Sequence, residues 1–135
     1  MRITPLLALA PLLAFAGAAA AATPAEIVST YQAAAAGENP GFTGFSADRG
    51  RLFFNSRHGS DWSCASCHTT DPRQAGRHAV TGKTIAPMAT AVNPERFTDT
   101  AKVEKWFRRN CQDVLQRECS AQEKGDFIAW LSQAR

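Results

Sequence analysis

Two cysteines and a histidine stand together in the segment Cys64-Ala65-Ser66-Cys67-His68. The C-x-x-C-H pattern is typical of the attachment site of a c-type haem, in which each cysteine sulfur adds to one vinyl group and the adjacent histidine coordinates the iron. A zinc site would need a second pair of Cys or His ligands at similar spacing, and the sequence has none. A thioredoxin-like pair would follow a strand of a βαβ unit, which is not visible here. The pattern therefore predicts one covalently attached haem c.

The chain opens with the features of an export signal. A positive N-terminus is followed by an apolar run that Pro11 interrupts, and then by an alanine-rich stretch. This order predicts a secretory signal peptide over residues 1–22, with cleavage near Ala20 or Ala22. The apolar run is too short to favour a membrane span. We therefore expect one exported, periplasmic domain over residues 23–135, in the kind of compartment where c-type haems are attached.

Charge and length restrict the classes of partner. Lys and Arg total 15 against 12 Asp and Glu, so the net charge is only +3. A nucleic-acid-binding domain would be more strongly basic, and we expect no nucleic-acid partner. The mature chain has the length of one small domain, whose core would be modest without the apolar surface of a haem.

Periodicity and capping signals predict helices joined by loops, with no strand-like alternation. We predict helices over residues 24–36, 47–54, 100–110 and 121–131, and a loop wrapped around the haem over residues 69–94. Ser46 is a candidate N-cap of the second helix, which has Leu52 and Phe53 among its apolar positions. Thr98 or Asp99 can cap the third, and Ser120 with Glu123 forms a capping box before the last. The fold class is all-α.

The third predicted helix carries an apolar stripe that ends in an amide. Val103, Trp106, Phe107 and Asn110 follow i, i+3, i+4 and i+7, so they share one face that should point to the haem or the core. A buried amide without partners costs on the order of 1–3 kcal/mol. In the alternative, Asn110 ends the helix, caps it and is exposed to water.

The sixth coordination position of the iron has several candidate ligands. The candidates are Met88, His58, His78 and Asn110. Alternatively, the position has no protein ligand. Met88 is the obvious one, because a thioether is a standard partner of histidine in electron-carrier cytochromes. However, the distal ligand of single-domain cytochromes c usually follows a further helix, and only Asn110 lies that far beyond His68. His58 and His78 have the loop-like context of surface histidines.

Two cysteines lie outside the C-x-x-C-H segment. No second C-x-x-C-H surrounds Cys111 or Cys119, so a second haem is excluded. An even number of cysteines outside the haem-binding segment indicates a disulfide between them in an oxidising compartment, and a pair of free thiols is the alternative.

Several runs of the mature chain together resemble the sphaeroides haem protein (SHP) family, which are oxygen-binding monohaem cytochromes c of class I fold. The runs cover residues 63–68, 81–87, 93–99, 103–111 (VEKWFRRNC) and 119–130. The resemblance extends over nearly all of residues 23–135. The tryptophan-to-cysteine run is far more specific than C-x-x-C-H alone.

The resemblance implies roles for particular residues. The family's distal ligand, an asparagine before a disulfide cysteine, falls on Asn110, and its bridge falls on Cys111–Cys119. That ligand binds ferric iron and leaves on reduction. The family has an apolar core residue at the position of Met88. Met88 is therefore expected to be a core residue, and distal ligation by Met88 is the alternative. By analogy with class I cytochromes, the Pro87 carbonyl is expected to accept the Nδ1–H of His68.

Three functions are therefore considered. The preferred one is a periplasmic cytochrome that binds oxygen, nitric oxide or another small diatomic at ferrous haem and exchanges electrons with another periplasmic or membrane-bound cytochrome. The second is a simple electron carrier with His/Met or bis-histidine ligation. The third is a haem reductase or oxygenase, an enzyme that turns over oxygen or nitrogen oxides with electrons from a partner. A basic stripe of Lys102, Lys105 and Arg109 is either a solvated helix surface or a steering surface for an acidic redox partner.

Overall fold

The computed structural model describes residues 21–135, which form five helices and one small pair of strands. The helices are α1 (Pro24–Glu38), α2 (Ala47–Asn55), α3 (Ala65–His68), α4 (Thr100–Leu115) and α5 (Ala121–Gln133), with strands β1 (Gly76–Arg77) and β2 (Thr84–Ile85) between α3 and α4. No helix within these residues is long and apolar enough to span a membrane. All but the last two residues of the predicted signal peptide lie outside the described residues.

Three of the helices begin at predicted caps. The Ser46 side chain accepts from the Arg49 N–H at the start of α2. Ser120 and Glu123 form the predicted capping box of α5. Of the two candidates for α4, Asp99 is the cap and accepts from Lys102 N–H at 3.0 Å. Side-chain oxygens at these positions satisfy backbone N–H groups that have no partner inside the helix.

The third predicted helix is longer than expected. α4 continues through Leu115 and ends where Gln116 adopts a left-handed conformation, with φ of 59°. The expectation that Asn110 ends and caps this helix is therefore wrong. The last turn forms because Cys111, Val114 and Leu115 continue the buried face of the helix, and burial stabilises a turn that has no strong propensity of its own.

The predicted loop over residues 69–94 also needs correction. Residues in the predicted loop 69–94 pair as antiparallel strands, Gly76 with Ile85 and Arg77 with Thr84. Two residues are too few for an alternating pattern to be visible in the sequence. In α2, the buried residues are Gly50 and Phe54, whereas Leu52 is 57% exposed.

The core lies where α5 packs against α1 and α2. Ile27, Phe54, Ile128 and Leu131 are its most deeply buried side chains. Gly50 is required where α2 meets α5, because a Cβ there would collide with the backbone of Asp126. The carboxylate of Asp126 is itself buried and accepts from Arg49 Nε at 2.7 Å and from Ser46 N–H at 2.6 Å. The ring of Phe54 on α2 also lies 6.2 Å from the ring of His68, so this packing reaches the C-x-x-C-H segment.

Candidate haem site

The C-x-x-C-H residues lie on a single helical turn. Cys64 is the N-cap residue of α3, and its carbonyl accepts from the His68 N–H at 3.1 Å. Cys64, Cys67 and His68 follow i, i+3 and i+4, which places the three side chains on one face of the turn. The Ser66 hydroxyl accepts from the Ser63 N–H at 3.0 Å and closes the turn. The two thiols are half-buried and are not disulfide-bonded.

The surroundings of Cys64 and His68 favour the neutral forms of these two side chains. Burial raises the pKa of the Cys64 thiol to about 11, and the neighbouring Cys67 adds to the rise. Burial, the charge of Arg96 and His78 together lower the pKa of His68 to about 4. An imidazole with this pKa is neutral at pH 7, which is the form that binds a metal.

The ring of His68 has one nitrogen without a protein partner. Its Nδ1 is buried and makes no hydrogen bond to any residue in 21–135. The expected bond to the Pro87 carbonyl is not formed, because that oxygen already accepts from Asn93 Nδ2 and Arg96 Nε, each at 3.0 Å. Two donors occupy both acceptor positions of a carbonyl oxygen. The role predicted for Pro87 therefore needs correction in this structure.

Strand β1 packs directly against the C-x-x-C-H turn. A Cβ at Gly76 would collide with the carbonyl oxygen of Cys67, so only glycine permits this approach. Three residues later, the Ala79 N–H donates to Cys67 Sγ at 3.3 Å. Paired thiols, a neutral imidazole with a free ring nitrogen and a backbone that closes over them suit a covalently attached haem c.

Three of the candidate distal ligands are engaged elsewhere. Met88 is 8% exposed within the hydrophobic core, and its N–H donates to the Pro72 carbonyl at 2.8 Å. His58 Nε2 lies 2.6 Å from the Phe53 carbonyl, so this nitrogen carries a proton. His78 Nδ1 accepts from two backbone N–H groups, of Val80 and Thr81. The proton of neutral His78 is therefore on Nε2, and neither nitrogen is free to bind iron.

The fourth candidate, Asn110, is exposed on α4. Val103 and Phe107 are buried as predicted, but Trp106 is 42% exposed and Asn110 is exposed as well. The predicted stripe is therefore split: the buried face passes through Val103, Phe107 and Cys111, one residue away from Asn110. The amide of Asn110 makes no side-chain hydrogen bond to the described part of the chain.

The residue after Asn110 is covalently held. Cys111 and Cys119 form a disulfide with their Cα atoms 5.7 Å apart, a separation usual for such bonds. The bridge ties the last turn of α4 to the residue before the Ser120 cap of α5. Both cysteines are buried.

Comparison with known proteins shows the family to which the chain belongs. A family model described as a domain of unknown function, DUF1924, matches residues 40–131. The chain is 42% identical to cytochrome c'' of Methylophilus methylotrophus over 97% of this chain and 94% of that protein. It is 41% identical to the cytochrome c-type protein SHP of Cereibacter sphaeroides, over 96% of this chain and 98% of that protein. The chain belongs to the cytochrome c''/SHP family.

Solved structures of the same two proteins share the fold. Oxidised cytochrome c'' matches with a TM-score of 0.74 at 40% identity, over 83% of this chain and 94% of that chain. Oxidised SHP, described as an oxygen-binding cytochrome c, matches with a TM-score of 0.72 at 42% identity, over 82% and 96%. The predicted class I cytochrome c fold and the family resemblance are confirmed, and membership of this family implies a covalently attached haem c.

Two residues near the site were missed by the sequence reasoning. The need for glycine at Gly76 gives no local signal, because the clash is with Cys67, which a loop brings back to it. Arg96 lies in the run 93–99 that carries the family resemblance, yet nothing in that run indicates that its side chain returns to Pro87.

Proposed function

We propose that Cys64 and Cys67 bind one haem c through thioether bonds and that His68 is its axial ligand. The single helical turn that presents all three side chains supports this assignment, as does the neutral imidazole of His68.

We also propose that residues 1–22 are a cleaved signal peptide and that the mature protein is periplasmic. The Cys111–Cys119 bridge suits such an oxidising compartment.

Asn110 is the proposed second axial ligand. The observation that carries this proposal is that Asn110 alone among the four candidates has an exposed side chain with no hydrogen bond to residues 21–135. Met88, His58 and His78 would each have to leave the core or break a hydrogen bond first. Asn110 also lies on a helix that follows the loop from His68, which is the usual source of a distal ligand in this fold.

The amide of Asn110 is proposed to leave on reduction. An amide oxygen is a weak ligand that prefers the harder ferric ion, so it is poorly retained when the iron becomes ferrous. The bridge at Cys111 restrains the helix while the side chain of Asn110 rotates away. A bound haem would supply redox chemistry and, in the ferrous state, a position that oxygen, nitric oxide or another small diatomic could occupy. Two related structures support this proposal: SHP is described as oxygen-binding and the cytochrome c'' solution structure addresses haem-ligand detachment.

The electron partner is proposed to be another cytochrome with an acidic surface. Lys102, Lys105 and Arg109 are all exposed on α4, beside Trp106. Lys105 Nζ and the Arg109 guanidinium carbon each lie 5.9 Å from the centre of the Trp106 ring. Complementary charge at such a surface raises the rate of association.

Absorption spectra of the reduced protein, with and without carbon monoxide, test the function. We expect a high-spin ferrous spectrum that changes on addition of carbon monoxide, because Asn110 has left the iron. A simple electron carrier with His68/Met88 ligation would give a low-spin ferrous spectrum that carbon monoxide does not change. That result would overturn the gas-binding proposal and leave the haem attachment intact.

A further inference from the structure

One side chain holds the segment before the C-x-x-C-H turn to the end of α4. Ser60 Oγ lies 2.8 Å from the Val114 carbonyl oxygen, 3.3 Å from the Trp62 carbonyl oxygen and 3.2 Å from the Trp62 nitrogen. A serine hydroxyl has a single proton, so it donates to the nearer carbonyl, that of Val114, and accepts from the Trp62 N–H. Ser60 therefore joins two parts of the chain that are 54 residues apart in sequence.

The Val114 carbonyl is an acceptor that α4 cannot satisfy by itself. The helix ends at Leu115, so it has no residue four positions beyond Val114 that could donate to this oxygen. By the i to i−4 pattern of an α-helix, the Val114 N–H bonds to the carbonyl of Asn110, one turn earlier. The Ser60 hydroxyl is thereby attached to the turn of α4 that begins at Asn110.

The segment that contains Ser60 is anchored on both sides. Before Ser60, His58 Nε2 donates to the Phe53 carbonyl at 2.6 Å, which holds the segment to α2. After Ser60, the Ser63 N–H donates to the Ser66 hydroxyl at 3.0 Å, inside the C-x-x-C-H turn. A short segment with fixed ends therefore connects the last turn of α4 to the turn that carries the haem-binding residues.

We propose that Ser60 is a positioning residue for the Asn110 ligand. Its hydroxyl holds the last turn of α4 at a fixed separation from the turn that carries His68, so the Asn110 amide meets ferric iron in one arrangement. A ligand that is already held near its binding position loses less conformational freedom when it binds. The inference rests on the proposed function of Asn110, and it adds the residue that keeps the amide within reach after reduction has released it.

Titration of the ferric holoprotein with azide measures the strength of Asn110 ligation. Azide has to displace the amide from the iron, so its apparent affinity rises when the amide is held less well. Ser60→Val and Ser60→Thr are a matched pair, because both side chains are β-branched and only threonine keeps the hydroxyl. Ser60→Ala is a smaller variant without the hydroxyl. Thr30→Val is the control elsewhere, since it removes a hydroxyl that donates to the Ile27 carbonyl within α1 at 2.7 Å.

The hydroxyl should account for most of the effect. We expect azide to bind about tenfold more tightly to Ser60→Ala and Ser60→Val than to the wild type, which is the size of effect that one lost hydrogen bond produces. Ser60→Thr and Thr30→Val should stay within about twofold of the wild-type affinity. The carbon monoxide affinity of the reduced proteins should be the same in all of them, because Asn110 is no longer a ligand in that state.

A double-mutant cycle separates positioning of Asn110 from a general effect on structure. In an Asn110→Ala background, Ser60→Ala should have no further effect on azide affinity, because the ligand through which Ser60 acts is absent. A gain in affinity that persists in that background would overturn the proposal, and so would equal effects of Ser60→Val and Ser60→Thr.

The same titration separates failure of this inference from failure of the proposed function. If Asn110→Ala tightens azide binding and neither Ser60→Ala nor Ser60→Val does, Asn110 is the ligand and the role proposed for Ser60 is wrong. If Asn110→Ala leaves azide binding unchanged, Asn110 is not the ligand and both proposals are overturned.

Discussion

Removal of the Cys111–Cys119 bridge should destabilise the protein by a calculable amount. The cysteines are eight residues apart in sequence. On the chain-entropy model, closing a loop of this length stabilises the folded state by about 2.5 kcal/mol. For a domain of this size, that loss lowers the Tm by roughly 10 °C. Because both cysteines are buried, lost packing of the sulfur atoms adds to the effect in Cys111→Ala/Cys119→Ala.

Removal of the bridge should also weaken the ligation of ferric iron by Asn110. The bridge begins at the next residue and holds the last turn of α4 in place. Without it, that turn can fray, and the Asn110 side chain is held less firmly against ferric iron. We expect the ferric spectrum of the double variant to shift from low-spin toward high-spin. The ferrous spectrum should stay as in the wild type, because Asn110 is no longer a ligand in that state.

Val114→Ala is the matched control for this prediction. Val114 is buried in the same last turn of α4, and its truncation should cost on the order of 2 kcal/mol while leaving the bridge intact. Denaturant unfolding measures the stability of both variants, and ferric absorption spectra measure ligation. An unchanged ferric spectrum in the double variant would refute the claim that the bridge restrains Asn110. An equal spectral shift in Val114→Ala would show that any loss of stability has the same effect.

Three further predictions concern haem attachment, Met88 and electron transfer. Acid acetone should extract no haem, and mass spectrometry should find one haem per chain; extractable haem would contradict attachment at Cys64 and Cys67. Met88→Leu should leave ferric and ferrous spectra almost unchanged, because Met88 is a core residue; loss of a low-spin ferrous spectrum would identify it as the ligand. Electron transfer to an acidic redox protein should slow with added salt, and more weakly so after Lys102→Glu and Lys105→Glu; a rate independent of salt in the wild type would count against the basic stripe.

Local sequence signals predicted where helices α2, α4 and α5 begin. Ser46, Asp99 and Ser120 mark helix starts because capping depends on a side chain and the three residues after it. The C-x-x-C-H segment also predicts its own geometry, since one helical turn sets the spacing of Cys64 and His68. Such features need no knowledge of distant parts of the chain.

The features that the sequence did not predict depend on long-range contacts. The end of α4 depends on burial of Val114 and Leu115, and burial is decided by what packs against them. The Pro87 carbonyl bonds to Asn93 and Arg96 because the loop turns back on itself. The assignment of Asn110 as a ligand came from the family resemblance, because periodicity alone favoured a helix cap at this position.

The central claim is that Asn110 binds ferric iron and leaves ferrous iron. Low-temperature electron paramagnetic resonance of the ferric protein, compared between wild type and Asn110→Ala, tests it most directly, with carbon monoxide binding to the reduced proteins as the second readout. The wild type should give a low-spin ferric signal, Asn110→Ala should give a high-spin signal in its place, and the two ferrous proteins should have nearly equal affinities for carbon monoxide. A low-spin ferric signal that is unchanged in Asn110→Ala would show that Asn110 is not the ligand.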